Sequence, residues 1–204
     1  MTGSLPLRAV VFDIGNVLVD WQPSQAFLPE LGSQEAVDDF LARTDFLARN
    51  LRADAGASWA DLAGELDDPA DRALLAAYPT RFAATVPNAI ESSWQVMEDF
   101  RERGLHIHAI TNWSAETWPI GIAAHPRLAR AFGVTIVSGR EGVIKPDARI
   151  FDLLCNRAGL APRECLFIDD SARNIAAAAA FGMETIHFTG PDALRAGLIQ
   201  RGLQ

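Results

Sequence analysis

Five short runs rich in Val, Ile, Leu and Phe recur along this chain, at Ala9 to Phe12, His106 to Thr111, Val134 to Val137, Cys165 to Ile168 and Thr185 to Phe188. Each is bounded by turn residues, the signature of a buried strand. Between most of them the apolar period becomes helical. Ile90, Trp94, Met97 and Arg101 share a face that stops at Gly104, and Phe151, Leu154, Cys155 and Ala158 share one that stops at Gly159. A helix between two strands carries the chain back to the end where it started, so the strands run parallel with right-handed crossovers. The pattern predicts an α/β protein built on a parallel sheet.

The stretch from about residue 24 to 86 breaks this alternation. It holds helical patterns, at Glu35 to Arg43 and Trp59 to Leu66, and no convincing strand. Trp21-Gln22-Pro23 and Pro87-Asn88 bracket it, and prolines at both ends suit a two-stranded hinge by which an insert leaves and rejoins a core. The expected organisation is a core of residues 1–20 and 87–204 with a helical cap over residues 21–86. No comparable insertion fits between Ser138 and Lys145. The alanine run Ala176 to Ala180 reads as a helix whose small residues approach the sheet closely.

Composition narrows the function. A chain of 204 residues has room for a core and a modest insert, and 49% hydrophobic residues argue against disorder. No apolar run approaches the ~20 residues of a bilayer span. Met1 to Leu7 lacks the charged and apolar regions of a secretory signal, so the cytoplasm is the default expectation. A net charge of −8 leaves no basic footprint for nucleic acid or an anionic membrane surface. The expected partner is a small molecule, and the expected state a monomer or homodimer. Cys155 and Cys165 have no metal spacing and read as reduced core residues, and His106, His108, His125 and His187 have no ligand spacing either.

One strand ends on a carboxylate. In Val10-Val11-Phe12-Asp13-Ile14-Gly15-Asn16 the apolar run delivers Asp13 to a loop and turns through Gly15. Loops at the carboxyl ends of parallel strands form the ligand crevice, although Asp-x-Gly also ends strands for turn geometry alone. Further motifs follow in order: His106-Ile107-His108-Ala109-Ile110-Thr111-Asn112, then Val143-Ile144-Lys145-Pro146-Asp147, then Cys165-Leu166-Phe167-Ile168-Asp169-Asp170, with Asn174 beyond. In this order they resemble the four signature motifs of the haloacid dehalogenase-like (HAD) hydrolase superfamily, over residues 8 to about 188. The resemblance implies a Rossmann-like five-stranded sheet in the order 5-4-1-2-3, a small all-helical cap after the first strand only, and Asp13, Thr111, Lys145 and Asp170 converging at the carboxyl edge.

It also implies a chemistry. A carboxylate can attack phosphorus to give an aspartyl-phosphate, splitting one hard displacement into two easier ones, and the resemblance makes Asp13 that nucleophile. Attack by one anion on another needs positive charge. The resemblance places Mg²⁺ on Asp13, the Gly15 carbonyl and Asp170, with Asp169 and Asn174 in support. Lys145, biased to an extended conformation by Pro146, would neutralise nucleophile and phosphate. The Thr111 hydroxyl and the Asn112 amide would bind phosphate oxygens. Trp113 and the segment Asn50-Leu51-Arg52 are candidate substrate contacts, a solvated surface being the commoner fate of an arginine such as Arg52. Trp113 and Trp118 flank the loop after the second strand and either stack on a sugar or simply close the domain interface.

Gly15 departs from the common pattern, in which a second Asp two residues after the nucleophile protonates the leaving oxygen. General acid catalysis is worth ~10²–10⁴-fold, so its absence predicts a steep dependence on leaving group. The Asp-x-Gly-Asn form resembles a phosphatase subgroup that includes enzymes acting on sugar 1-phosphates, whose anomeric oxygen leaves more readily than a simple alkoxide. Two alternatives share the gap: an L-2-haloacid dehalogenase, whose halide leaves unprotonated, and a catalytically weak binding protein. The pair Asp169-Asp170 favours a phosphatase, because two bare carboxylates repel an anionic haloacid.

Overall fold

The computed structural model describes residues 7–200 of the 204-residue chain. Five strands, β1 (Ala9–Phe12), β2 (His106–Thr111), β3 (Thr135–Val137), β4 (Cys165–Asp169) and β5 (Glu184–His187), form one parallel sheet in the order β3-β2-β1-β4-β5. This is the expected order, read from the other edge. β1 lies in the middle, with Phe12 level with Ala109 on one side and Ile168 on the other. All of β1 is buried, which is why it reads as an unbroken apolar run rather than an alternating one.

The edge strands differ slightly from expectation. Val134 lies outside β3 because its amide donates to His108 Nδ1 at 3.0 Å instead of to a neighbouring strand. β5 begins and ends one residue earlier than the apolar run, following the register of β4, its one neighbour. Phe188 still donates its amide to the Asp169 carbonyl at 2.8 Å.

Between β1 and β2 lie the short helices α1 (Leu28–Leu31), α2 (Gln34–Arg43), α3 (Phe46–Asp54), α4 (Trp59–Gly64), α5 (Pro69–Ala76) and α6 (Tyr78–Arg81). Ser33, Ser58 and Asp68 start three of them, each side chain accepting a backbone amide of the first turn. Phe27, Phe40, Phe46, Trp59 and Tyr78 fill their centre, with ring centroids 4.7 Å apart for Phe27 and Phe40 and 4.5 Å for Trp59 and Tyr78. The insert leaves and rejoins the sheet through two adjacent backbone segments. Asp20 donates to Asn88 at 2.9 Å, Gln22 to Thr85 at 2.7 Å, and Ile90 to Leu18 at 2.9 Å.

Beyond the insert come α7 (Glu91–Glu102), α8 (Trp118–Ala124), α9 (Ser138–Glu141), α10 (Ala148–Ala158), α11 (Ala172–Phe181) and α12 (Pro191–Gln200). α7 and α12 cover the sheet face carrying Val10 and Phe12, and the apolar cluster there continues without a break into the insert. α10 and α11 cover the opposite face, against Ala9 and Val11. The alanine run packs less than expected: Ala178 is buried and Ala177 half-buried, but Ala176, Ala179 and Ala180 face outward, where they favour the helix by propensity alone.

Cys155 and Cys165 are both buried and free, and His108, His125 and His187 each engage a backbone group, as residues of the scaffold do. Among the described residues no helix is long and apolar enough to cross a membrane. The expectation drawn from Met1 to Leu7 lies, apart from Leu7, outside the described residues.

Gly139, after β3, packs against the loop after β2. A Cβ there would lie 2.4 Å from the Ala115 nitrogen and 2.8 Å from the Trp113 oxygen, both main-chain atoms that cannot swing aside. Gly139→Ala is expected to destabilise the protein by ~1–3 kcal/mol, as overpacking does, measured as a lower urea midpoint with unchanged slope.

Candidate active site

A cavity of about 360 Å³ opens at the carboxyl edge of the sheet. Its floor comes from the loops after β1, β2 and β4 together with Lys145, and one wall comes from α3 of the insert. Asp13, the residue after β1, is 7% exposed. Its Oδ1 accepts the Ile14 amide at 2.7 Å, and its Oδ2 lies 2.8 Å from Lys145 Nζ. Lys145 Nζ also lies 2.7 Å from Asp169 Oδ2 and donates to the Ile110 carbonyl at 3.0 Å. Asp13, Lys145 and Asp169 thus meet at one point although they are far apart in sequence.

Asp169 is the more completely engaged of the two adjacent acids. Ser171 donates its amide to Oδ1 at 2.8 Å, and Asn174 Nδ2 reaches both oxygens, at 3.0 and 3.1 Å. Asn174 lies on the first turn of α11, so helix and strand together hold the carboxylate. Asp170 lines the cavity instead. One carboxylate oxygen from each of Asp13, Asp169 and Asp170 lies within 4.8 Å of the others. An all-oxygen set with cavity-facing members suits a hard divalent cation such as Mg²⁺. Gly15 lines the same cavity, and its backbone has no left-handed requirement and open space where a Cβ would stand. The glycine is therefore not there to relieve a steric conflict.

The charges are unbalanced. Burial pushes the Asp13 carboxyl up to about 8, with Lys145 pulling it down and Asp169 and Asp170 pushing it further up. Burial also raises Asp170, with Asp169 next in importance. Lys145 loses from burial but is held above its usual value by Asp13 and Asp169. One ammonium shared between two carboxylates cannot neutralise both, and a third stands beside them. A cation is what this arrangement lacks electrostatically.

Other predicted residues take different places. Thr111 ends β2 and is buried, but it does not line the cavity. Asn112 lines it while its side chain clamps Lys145 from both sides of the peptide, accepting the amide at 2.8 Å and donating to the carbonyl at 3.1 Å. Trp113 lines it too, its amide held by Ser138 Oγ at 2.9 Å and its ring packed between Phe82 and Trp118.

Arg52 is turned away from the cavity, a correction to the expectation of substrate contact. It forks onto Glu65 at 2.6 and 2.7 Å, and Arg49 joins the same carboxylate. The reason is helical phase: Leu47, Asn50, Leu51 and Asp54 recur at the spacing of one face of α3, and that face lines the cavity.

Two residues of the site went unassigned from sequence. Asn16 tolerates a left-handed backbone at φ 57, lines the cavity, accepts the Trp21 amide at 3.0 Å and hydrogen-bonds Asp170. Asp54, in the insert, is 7% exposed and lines the same cavity. Its one sequence signal was its place four residues after Asn50.

The family model for haloacid dehalogenase-like hydrolases matches residues 7–182, and this chain belongs to that family. Over 98 residues it is 35% identical to acyl-CoA dehydrogenase family member 10 of Mus musculus, covering 48% of this chain and 9% of that protein, so it spans about a tenth of that relative. It is 23% identical over 188 residues to the sesquiterpene phosphatase astK of Aspergillus oryzae, covering 89% of this chain and 90% of the relative. A HAD family enzyme of Bacteroides thetaiotaomicron, crystallised with magnesium and inorganic phosphate, shares the fold with a TM-score of 0.67 and 18% identity, over 89% of this chain and 93% of that one. The L-2-haloacid dehalogenase of Xanthobacter autotrophicus does so with a TM-score of 0.63 and 19% identity, over 97% and 84%.

The charge imbalance has a thermal consequence. Without metal, folded Asp13 keeps its proton up to about pH 8, whereas unfolded it releases it near 3.8. Between those values folding takes up a proton, so this group's contribution to stability falls as pH rises. Asp13→Asn removes that loss. Its melting temperature relative to wild type is expected to rise by several degrees from about pH 5 to about pH 8. Mg²⁺ at the higher pH should raise the melting temperature of the wild type more than that of Asp13→Asn.

Proposed function

We propose that this chain is a magnesium-dependent phosphatase that hydrolyses a small phosphorylated metabolite through an aspartyl-phosphate on Asp13. The observation that carries the reading is the meeting of Asp13, Asp169 and Asp170 with the buried Lys145 at the floor of one cavity. Asp13 and Asp170, with the Gly15 carbonyl, would hold Mg²⁺, which supplies positive charge to the phosphate and its developing transition state. Asp169 and Asn174 keep Lys145 and the acidic loop in place. Lys145, together with the cation the site would hold, favours the Asp13 anion against its burial, and Asn112 fixes the backbone that carries the lysine. Thr111, buried at the end of β2, supports the loop at which phosphate oxygens would dock, and Trp113 forms part of the wall beside it. The helical insert, residues 21–86, acts as a cap whose α3 face closes the cavity over the substrate.

Relatives named as a sesquiterpene phosphatase and a phosphoglycolate phosphatase support phosphate ester chemistry. A cavity of about 360 Å³ suits a small metabolite. A sugar 1-phosphate is the first substrate to try, given the Asp-x-Gly-Asn form of the nucleophile loop. The shared fold leaves a haloacid dehalogenase open, but three clustered carboxylates against one ammonium disfavour an anionic haloacid.

In a screen with Mg²⁺ over sugar phosphates, acyl phosphates and an aryl phosphate, phosphate release is expected and should vanish with EDTA. Asp13→Asn should lower it by more than ~10³-fold, and Asp170→Asn should weaken activity and Mg²⁺ binding together. Halide release from L-2-chloropropionate in metal-free buffer, with no phosphate release from any ester, would overturn the reading.

A further inference from the structure

Gly15 leaves the nucleophile loop without a proton donor, and another element has one at the same cavity. In an in-line displacement the leaving oxygen departs on the side of phosphorus opposite the attacking group. Asp13 stands on the sheet edge, so the leaving oxygen faces the wall contributed by the insert. That wall consists of Trp21, Leu47, Asn50, Leu51, Asp54 and Phe82, and among these Asp54 alone carries a titratable side chain. We infer that Asp54 is the general acid and base of this enzyme, a role that rests on the phosphatase reading above.

The carboxyl group is positioned for the task. Asn50 Nδ2 donates to its Oδ2 at 2.9 Å from one helical turn away. The Asp54 carbonyl accepts from Ser138 Oγ at 2.6 Å, which ties the end of α3 to the end of β3. Trp59 at the start of α4 donates its amide to Glu116 at 3.0 Å, a second tie between insert and core. Burial pushes the Asp54 carboxyl up to about 7, against the opposing pull of Lys145, the Ser114 amide and Asn50. A group that titrates near neutrality can serve as acid in one step and as base in the next.

In the first step an Asp13 oxygen bonds to phosphorus and the ester P–O bond breaks. Its electron pair stays on the leaving oxygen, which takes the Asp54 proton and departs as an alcohol. In the second step water attacks from the vacated side and gives a proton to the Asp54 carboxylate. The bond between phosphorus and Asp13 then breaks, releasing orthophosphate and restoring both carboxyl groups to their starting states. The steep leaving-group dependence that Gly15 alone predicts is replaced by a shallow one.

The test uses the full chain with Mg²⁺ on a series of monoesters from 4-nitrophenyl phosphate through phenyl phosphate to a primary alkyl phosphate. Wild type should show a shallow dependence of kcat/KM on leaving-group pKa. Asp54→Asn keeps the side-chain size and an acceptor for Asn50, and its melting temperature is checked alongside. It should lose only several-fold on the nitrophenyl ester but ~10²–10⁴-fold on the alkyl ester. A steep dependence in the wild type would overturn the assignment without any variant, and so would an equal loss on every ester, the mark of a residue that only latches the insert. Wild type inactive on every ester, or Asp13→Asn as active as wild type, would instead sink the phosphatase reading and this role with it. The two failures are separable, because the former spares the dependence on Asp13.

Discussion

The site depends on one buried ammonium. Lys145 Nζ stands 2.8 Å from Asp13 and 2.7 Å from Asp169, with its side chain almost out of reach of water. Withdrawing such a charge from water costs several kcal/mol, recovered only where partners and geometry are good. Here the partners come from the ends of β1 and β4, the Ile110 carbonyl from β2, and the main-chain clamp from Asn112. The ion group therefore gathers the sheet's central strands and the loop after β3 to one place. It gathers more negative than positive charge, a surplus that a divalent cation would offset.

The insert is joined to this site by packing as well as by hydrogen bonds. Its aromatic centre runs continuously into the apolar cluster beneath α7, so it shares a core with the sheet. α3 has two faces with different fates. On the outer one Arg49 and Arg52 meet Glu65 in exposed ion pairs, which contribute little to stability. On the inner one Asn50 and Asp54 present polar groups between Leu47 and Leu51, two of the large apolar side chains that remain exposed. The face of α3 that lines the cavity thus carries a single acid, Asp54, hydrogen-bonded by Asn50 and set between leucines.

Asp13, on the sheet edge, and Asp54, on the insert, line one cavity, which is the arrangement the inferred role of Asp54 rests on. Gly15 has room for a side chain, so the loop itself does not prevent the usual arrangement.

The sequence by itself determined the parallel sheet, the helical insert and the acids that end the strands. β1 and β4 read as unbroken apolar runs because strands buried on both faces admit few polar residues until they end, and Asp13, just after β1, and Asp169, the last residue of β4, mark those ends. The order of Asp13, Lys145 and the acid pair was legible for the same reason. What only the tertiary structure decided was the direction of side chains on helices and loops. Arg52 and Asp54 are two residues apart on α3, yet helical phase sends one to solvent and the other to the cavity, and no local signal distinguishes them. Asn112 clamps Lys145 through a contact that spans 33 residues of sequence. Local patterning follows from burial, which is periodic along the chain, whereas the makeup of a site depends on which faces meet, and that is settled only when the elements pack.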